Sequence, residues 1–222
     1  MFSSISKFEN IFIIAPHQDD EVLGVGGTLC KLLELDKKIS VIFTTDGSKG
    51  IKKVPGFLTK QIRLEEVSNV NKLLKNKLEI TYLNFKDGKL ENDENQCLEK
   101  LTSIFAQFNP DLIFIPNSFD WHPDHKASNS YTLRSLKEIH SKAKIYEYEV
   151  WEALQEPDLL INITRQSELK RKLIRCYKSQ IQQMDFESAI MGLNSFRALR
   201  LTKSEIVEDK VNYAEAFKEA KL

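Results

Sequence analysis

The sequence predicts an α/β domain built on a mostly parallel sheet with helices on both faces. Short apolar runs rich in Ile, Val, Phe and Tyr alternate along the chain with longer stretches in which apolar residues recur at helical spacing. The short runs are typical of strands, and the longer stretches are typical of amphipathic helices. Alternation of strands and helices favours parallel strands joined by crossover helices, which then cover both faces of the sheet.

The first two thirds of the chain contain five predicted strands and four predicted helices. The strands are Ile11–Ala15, Ile39–Thr44, Leu78–Leu83, Leu112–Pro116 and Lys144–Val150. The helices are Leu23–Leu35, Thr59–Leu74, Glu94–Phe108 and His125–Ile139. In the third of these helices, Leu98, Leu101 and Phe105 illustrate the three-to-four spacing of one buried face.

The last third of the chain has a different pattern. Glu168–Tyr177 and Asp185–Arg200 have helical spacing, and Gly192 is expected to break the second helix. Tyr213–Lys221 fits a terminal helix or a loose tail. No linker rich in Gly, Pro or Ser and no internal repeat divides the sequence, so we expect residues 1–222 to form a single domain.

Composition argues against several classes of protein. The 32 basic and 32 acidic residues give no net charge, whereas nucleic-acid binders usually carry a basic excess. The three cysteines are scattered singly, which indicates reduced thiols rather than a disulfide framework. No apolar run has the length of a membrane span, and the N-terminus lacks the pattern of a secretory signal. We therefore expect a soluble, cytoplasmic protein.

The first chemical motif, Pro16–Glu21 (PHQDDE), follows the first predicted strand. Carboxylates at this place also suit the positive end of a helix dipole, so a purely structural role is an alternative for the acidic run. The glycines that follow, Gly24, Gly26 and Gly27, lack the GxGxxG spacing of a dinucleotide site. We interpret them as positions where the helix approaches the sheet closely.

The second motif, His122–His125 (HPDH), follows the fourth predicted strand, and the two motifs contain three of the four histidines. A loop with an Asp that caps the next helix is the structural alternative. Because ligands of open α/β sheets bind at the carboxyl ends of the strands, we expect both motifs to meet at one edge. Two imidazoles and one carboxylate suit Zn²⁺ and leave a position for water, whereas a cluster that needs thiolates is excluded.

With both motifs, the sequence resembles the LmbE-like family, also called the PIG-L de-N-acetylase family. The first family motif is usually (P/A)HPDDE, and Gln18 replaces its proline, which affects backbone stiffness and no ligand. The second motif is intact. GVGGTL, Arg63–Glu66 (RLEE) and Tyr177–Gln180 (YKSQ) match weaker family features, so the resemblance spans about residues 10–200.

The resemblance implies a Rossmann-like fold and a metal-dependent hydrolase. Its reaction would remove the acetyl group from an N-acetylated amino sugar, a nucleotide sugar or a glycoconjugate intermediate. By motif position, His17, Asp20 and His125 would bind the metal, which the resemblance identifies as Zn²⁺. Fe²⁺ stays open, because imidazole and carboxylate ligands accept it as well.

The resemblance also implies roles for the neighbouring residues. Asp19 would be the general base, and His122 would stabilise the developing oxyanion while Asp124 holds its ring. A neighbouring Asp124 carboxylate would favour the cationic form of His122. Arg63 would grip the substrate, and Glu66 would orient Arg63.

The substrate and the alternative functions stay open at this stage. The loop 46–56 carries Lys49, Lys52 and Lys53, which fit either a phosphate on the substrate or solvated side chains. Tyr146, Tyr148 and Trp151 could stack on a sugar ring, but core packing is the favoured interpretation. A metallohydrolase of another amide or ester and a non-catalytic metal- or glycan-binding module are the competing functions. The expected partner is a small molecule, and homo-oligomers stay open.

Overall fold

The computed structural model describes residues 4–204 and 210–222, and a mixed sheet of seven strands organises them. The strands are β1 (Asn10–Ala15), β2 (Lys38–Thr45), β3 (Leu78–Phe85), β4 (Leu112–Pro116), β5 (Lys144–Tyr148), β6 (Leu159–Asn162) and β7 (Ala214–Ala220). Their spatial order is β3-β2-β1-β4-β5-β7-β6. The first five strands in this order are parallel, and β7 runs antiparallel to both β5 and β6.

The helices fill the connections between the strands. They are α1 (Asp20–Leu33), α2 (Gly56–Leu73), α3 (Glu94–Phe108), α4 (Pro123–Glu138), α5 (Ser167–Ile174), α6 (Lys178–Ile181) and α7 (Phe186–Ser204). The predicted α/β architecture is confirmed, and the ends of the predicted elements differ from the observed ends by a few residues. None of the helices described here has both the length and the apolar character that a membrane span needs.

The core lies on both faces of the sheet, as the alternation of side chains along β1 illustrates. Ile11 and Ile13 pack on one face with residues of α1, α2, α5 and α7, whereas Phe12 and Ile14 pack on the other face with residues of α3 and α4. All four side chains are buried. Strands covered on both faces explain why the sequence contains continuous apolar runs.

The order of the strands reverses beside β1. The chain passes from β1 to β2 and β3 on one side, and it then returns to β4 on the other side of β1. Open α/β sheets bind their ligands at such a switch point, outside the carboxyl ends of the strands. The PHQDDE motif follows β1 and the HPDH motif follows β4, so the fold brings both motifs to this crevice.

Two glycines of α1 permit close packing against neighbouring side chains. A Cβ atom added to Gly24 would lie 2.2 Å from Cδ2 of Tyr148, and one added to Gly27 would lie 2.6 Å from Cδ1 of Ile163. Real Cβ atoms do not approach other atoms so closely. This agrees with the interpretation that these glycines let α1 approach its neighbours.

The structure corrects three predictions for the last third of the chain. α7 continues through Gly192, because one glycine costs only about 1 kcal/mol in a helix that tertiary packing supports. The predicted helix Glu168–Tyr177 ends earlier, and α6 follows it as a separate short helix. The segment predicted as a helix or tail forms β7, which pairs with β5 and β6. Its Ala, Glu and Lys residues favour helices, and pairing in the sheet overrides that preference.

Candidate active site

Three side chains from the two motifs converge at the crevice between β1 and β4. His17 follows β1, Asp20 begins α1, and His125 lies in the first turn of α4. Nδ1 of His17 lies 3.4 Å from Oδ2 of Asp20 and 3.3 Å from Nε2 of His125. The third distance, from Nε2 of His125 to Oδ2 of Asp20, is 3.2 Å. Three potential ligand atoms thus form a nearly equilateral triangle.

This triangle has the size that a divalent metal requires. Zn²⁺ binds nitrogen and oxygen ligands at about 2.0–2.1 Å in a tetrahedron, whose corners are then about 3.3–3.4 Å apart. The three distances at His17, Asp20 and His125 agree with this edge length. Two imidazoles and one carboxylate are also a known donor set of catalytic zinc sites, in which the fourth position is left for water or substrate. The residues therefore fit a catalytic metal.

A carboxylate lies next to the outer nitrogen of each imidazole ring. Nε2 of His17 lies 3.2 Å from Oδ2 of Asp124, and Nδ1 of His125 lies 3.0 Å from Oδ2 of Asp120. The Asp124 carboxylate also accepts hydrogen bonds from the backbone N–H groups of Gly88 and Leu90, at 2.6 and 3.1 Å. Such partners at the outer nitrogens leave the inner nitrogens, Nδ1 of His17 and Nε2 of His125, available as ligands.

Two other groups of potential ligands occur among the described residues. His122 lies near His17 and His125, and Asp87 and Asp124 lie near His17. Asp87 and Asp124 lie at the outer edge of the His17 ring. There, Oδ1 of Asp87 is 3.4 Å from Nε2 of His17. Since Asp124 already accepts two backbone hydrogen bonds, we interpret it as support for His17 rather than as a ligand.

The centre favours positive charge. Burial lowers the pKa of His125, but the neighbouring Asp20 and Asp120 outweigh burial and raise it to about 9. His17 behaves alike: burial opposes the charge, while Asp124, Asp20 and Asp87 raise its pKa well above the ordinary value. Although burial opposes ionisation of Asp20, both histidines keep its pKa well below the usual range. The same carboxylates would stabilise a bound dication.

Asp19 lies beside this centre and pairs with Arg63. Oδ1 of Asp19 is 3.0 Å from Nη2 of Arg63, which also donates a hydrogen bond to the carbonyl of Gln18. Burial raises the pKa of Asp19 to about 6, and the positive charge of Arg63 limits the rise. A carboxylate with a pKa near neutrality can accept and return a proton at physiological pH. The predicted base is thus next to the predicted ligands.

The structure does not place the carboxylate of Asp124 against the ring of His122, as the resemblance implies. Only the backbone N–H of Asp124 contacts His122, which accepts its hydrogen bond at Nδ1 over 3.2 Å and thereby caps α4. The carboxylate of Asp124 faces His17 instead. Burial and the charges of His17 and His125 lower the pKa of His122, so the structure favours the neutral ring over the predicted cation. With Nδ1 as acceptor, the ring proton lies on Nε2.

The predicted contact between Glu66 and Arg63 is also absent from the described structure. The carboxylate of Glu66 accepts hydrogen bonds from the backbone N–H and the hydroxyl of Ser179, at 2.7 and 2.8 Å. Both residues lie on α2, but Arg63 reaches Asp19 and Glu66 reaches α6. Glu66 therefore anchors α6, which carries Gln180 of the weak YKSQ match to the pocket wall.

A pocket of about 440 Å³ opens above the centre. His17, Asp19, Asp20 and Arg63 line its inner part. Its other walls come from Leu23, Lys49, Gly50, Lys52, Asp87, Gly88, His122, Trp151, Gln180, Gln183, Met184 and Phe186. Tyr146 and Tyr148 do not line it but are buried in the core, where the hydroxyl of Tyr148 donates to the carbonyl of Ile14 at 2.8 Å.

Sequence reasoning missed two carboxylates of the site, Asp87 and Asp120. Asp120 lies just ahead of the HPDH motif, but a carboxylate there also fits an ordinary turn, and its side chain does accept from the N–H of His122. Asp87 precedes Gly88, and Asp-Gly is a common turn sequence. Nothing in the sequence around Asp87 or Asp120 distinguishes it from an ordinary turn residue.

Known proteins resemble this chain along most of its length. A probable N-acetyl-alpha-D-glucosaminyl L-malate deacetylase 2 of Bacillus subtilis is 25% identical over 79% of this chain and 85% of its own length. The N,N'-diacetylchitobiose deacetylase of Pyrococcus horikoshii is 25% identical, with a TM-score of 0.83 over 97% of this chain and 85% of the other.

The fold also occurs in a protein that carries out a different reaction. GalB, a 4-carboxy-2-hydroxymuconate hydratase of Pseudomonas putida, has a TM-score of 0.84 over 96% of this chain and 97% of its own, at 16% identity, which establishes the likeness of fold alone. The family model described as PIG-L, GlcNAc-PI de-N-acetylase, matches residues 12–136, which is more than half of the chain. The chain therefore belongs to the PIG-L family.

Proposed function

We propose that this protein is a metal-dependent hydrolase that removes the acetyl group from the nitrogen of an amino-sugar conjugate. The observation that carries the proposal is the metal-sized triangle of His17, Asp20 and His125 beside the carboxylate of Asp19, at the inner end of a pocket. Family membership and the deacetylase activities of two relatives support the same reaction class.

The metal would be held by Nδ1 of His17, a carboxylate oxygen of Asp20 and Nε2 of His125. When bound there, a divalent metal supplies Lewis-acid polarisation of the amide carbonyl and lowers the pKa of water from 15.7 to about 7. We propose Zn²⁺ as this metal, because the donor set and spacing suit it. Fe²⁺ is the alternative that the same donors accept.

Asp19 is the proton carrier in this proposal. Its carboxylate takes a proton from the attacking water and gives it to the nitrogen of the departing amine. A positioned acid or base of this kind typically contributes about 10²–10⁴-fold to the rate. Arg63, 3.0 Å away, holds the carboxylate of Asp19 in place and favours its charged form.

His122 is the electrophilic partner in this proposal. Since Nδ1 accepts from the backbone of Asp124, the neutral ring presents Nε2–H as a donor, and His122 lines the pocket. A fixed donor stabilises the oxygen of the amide as negative charge develops on it. Asp124 acts through His17, whose ring its carboxylate orients.

Metal content and acetate release, measured on the same purified samples, test the proposal. Asp19→Asn should keep about one metal per chain and lose about 10²–10⁴-fold in acetate release from N-acetylated amino sugars. Asp36→Asn is the control, since Asp36 is exposed and its carboxylate pairs with Lys77, away from the pocket. A chelator should abolish activity, and Zn²⁺ should restore it.

The other outcomes separate the competing functions. Hydrolysis of esters or other amides, without acetate release from any amino sugar, would identify another metallohydrolase on this fold. Metal binding without any hydrolysis would identify a binding module. Full activity in Asp19→Asn would overturn the role of Asp19 as the base, and unchanged metal content in His125→Ala would overturn the assigned centre.

A further inference from the structure

We propose that Lys49 and Lys52 form an anion-binding subsite at the pocket, and that the substrate carries an anionic group, a phosphate or a carboxylate, that binds there. The inference rests on the proposed function and narrows its substrate class. Both residues belong to the loop 46–56, whose lysines, by sequence alone, fit either contact with an anionic substrate group or exposure to solvent.

The backbone of this loop is fixed on both sides of the pocket. The N–H of Lys49 donates to Oδ2 of Asp87 at 2.8 Å, and the N–H of Lys52 donates to Oε1 of Gln183 at 3.2 Å. The carbonyl of Gly50 accepts from the side-chain amides of Gln180 and Gln183, at 3.2 and 2.7 Å. All of these contacts use the main chain of the loop, so the positions of both lysines are defined while their ammonium groups take no part.

Both lysine side chains are exposed and line the pocket. Within residues 4–204 and 210–222, neither ammonium group lies in an ion pair with a carboxylate of the protein. Lys86 nearby differs: its Nζ lies 2.7 Å from Oγ of Ser48 and 3.8 Å from Oδ2 of Asp46. Lys49 and Lys52 thus present charges that the fold leaves uncompensated.

The ammonium group of Lys49 rests against the pocket wall. A Cβ atom added to Gly88 would lie 2.7 Å from Nζ of Lys49, so the lysine occupies the space over that glycine. Gly88 itself lines the pocket next to Asp87. Because residue 88 has no side chain, the ammonium group of Lys49 can lie over it at the pocket wall.

The negative side chains of the pocket lie deep in it, whereas its exposed charged side chains are positive. Its carboxylates, Asp19, Asp20 and Asp87, are buried and already face Arg63 or His17. The exposed charged residues of its lining are Lys49 and Lys52, both positive. An anionic group on the part of a substrate that reaches these lysines would gain charge-assisted hydrogen bonds.

Charge-removing variants and matched sugars test the subsite. The variants are Lys49→Gln, Lys52→Gln and the double variant, with Lys53→Gln as the control, because Lys53 lies on the same exposed loop but not in the pocket lining. The probes are N-acetylglucosamine 1-phosphate, the glycolic acid glycoside of N-acetylglucosamine and its neutral methyl glycoside. The measurements are kcat and KM for acetate release, and binding by tryptophan fluorescence, to which Trp151 in the pocket wall contributes.

We expect the wild type and Lys53→Gln to have a KM at least about tenfold lower for an anionic probe than for the methyl glycoside, as charged hydrogen bonds allow. The double variant should lose this preference while kcat stays unchanged, and added salt should weaken the preference of the wild type. Preference for the phosphate or for the carboxylate probe identifies the anion, and either result supports the subsite.

The remaining outcomes distinguish this inference from the proposed function. If all three sugars release acetate with equal KM, or if the double variant keeps the preference, the subsite is wrong while the deacetylase assignment holds. If no sugar releases acetate, but the fluorescence titration shows an anion preference that the double variant loses, the subsite holds while the deacetylase assignment fails.

Discussion

The carboxylate of Asp124 lies 3.2 Å from Nε2 of His17, although the two residues belong to different motifs and are 107 positions apart. The same carboxylate accepts the N–H groups of Gly88 and Leu90. Asp124 thus joins the crevice side of β1, the start of α4 and the loop after β3. It orients the ring of His17, a proposed metal ligand, without itself facing the centre.

The first prediction follows from this contact. Asp124→Asn should weaken zinc binding by about 10–100-fold, because the amide cannot accept from all three donors and leaves the ring of His17 poorly oriented. Competition with a chelating dye measures the affinity, and Asp36→Asn provides an exposed control. Unchanged zinc affinity would mean that the Asp124 contact contributes nothing to the metal site.

The sequence predicted which side chains converge at the crevice better than it predicted the contacts that each of them makes. His17, Asp20 and His125 were predictable because their motifs follow strands whose carboxyl ends meet at one edge. The family resemblance implies that Asp124 holds the ring of His122, its neighbour in the same motif. At the start of a helix, however, side chains two positions apart point in different directions. Which distant ring Asp124 meets depends on the fold, not on local spacing.

A strand was predictable from the sequence only where the β-propensity of its residues agrees with its pairing in the sheet. β1 to β5 are rich in β-branched and aromatic residues, whereas β7 consists of Ala, Glu, Lys and Phe. Glu215 in β7 is buried, whereas a glutamate in a surface helix or a loose tail would be exposed. Its partners come from α1 and α5, far away in sequence, and no local pattern contains that information.

The second prediction concerns the buried pair of Lys170 and Glu215. Nζ of Lys170 lies 2.6 Å from Oε1 of Glu215 and donates to the carbonyl of Leu23 at 2.9 Å. The Glu215 carboxylate accepts the N–H groups of Gly27 and Thr28, each at 2.7 Å. Leu23 and Gly27 are one helical turn apart in α1, so both side chains bind backbone groups of the same turn.

Lys170→Met should lower the free energy of unfolding by about 3–5 kcal/mol, because it leaves the buried carboxylate of Glu215 without its counter-charge. The double variant Lys170→Met with Glu215→Gln should recover part of the loss, since no unpaired charge remains. Urea unfolding gives both values. Lys77→Met, which breaks an exposed pair with Asp36, should have little effect. Equal effects of the buried and exposed changes would contradict the prediction.

The third prediction uses the three free cysteines and their pH dependence. Burial raises the pKa of the Cys30 and Cys97 thiols to about 12, with the charges of Glu215 and Glu34 adding to the effect at Cys30. Burial also raises the pKa of Cys176, but that side chain is only partly buried. The thiolate is the reactive form, so it is scarce wherever the pKa lies above the pH.

A disulfide reagent should therefore react with about one thiol per native chain at pH 8, and with three after unfolding. The rate at Cys176 should rise from pH 7 to pH 9 as its thiolate fraction grows, while Cys30 and Cys97 stay unreactive. Cys176→Ser should abolish the native reaction. Rapid labelling of this variant would contradict the assigned burial.

The fourth prediction compares two helical glycines with opposite surroundings. A Cβ atom at Gly24 would meet the buried ring of Tyr148 at 2.2 Å, whereas one at Gly192 meets no atom within 4 Å. Gly24→Ala should lower the free energy of unfolding by about 1–3 kcal/mol, because α1 or the ring must move. Gly192→Ala should raise it by about 0.5–1 kcal/mol, because alanine loses less backbone freedom in the middle of α7.

Thermal and urea unfolding of both variants measure the two effects. Since α1 begins with Asp20, a shift of this helix at Gly24 should also weaken zinc binding, whereas Gly192→Ala should leave the zinc affinity unchanged. A stabilising effect of Gly24→Ala would show that the close approach of α1 to Tyr148 is not required. A destabilising effect of Gly192→Ala would contradict the prediction. It would mean that the chain at residue 192 needs a conformation that only glycine adopts easily, as it would if the helix were interrupted there.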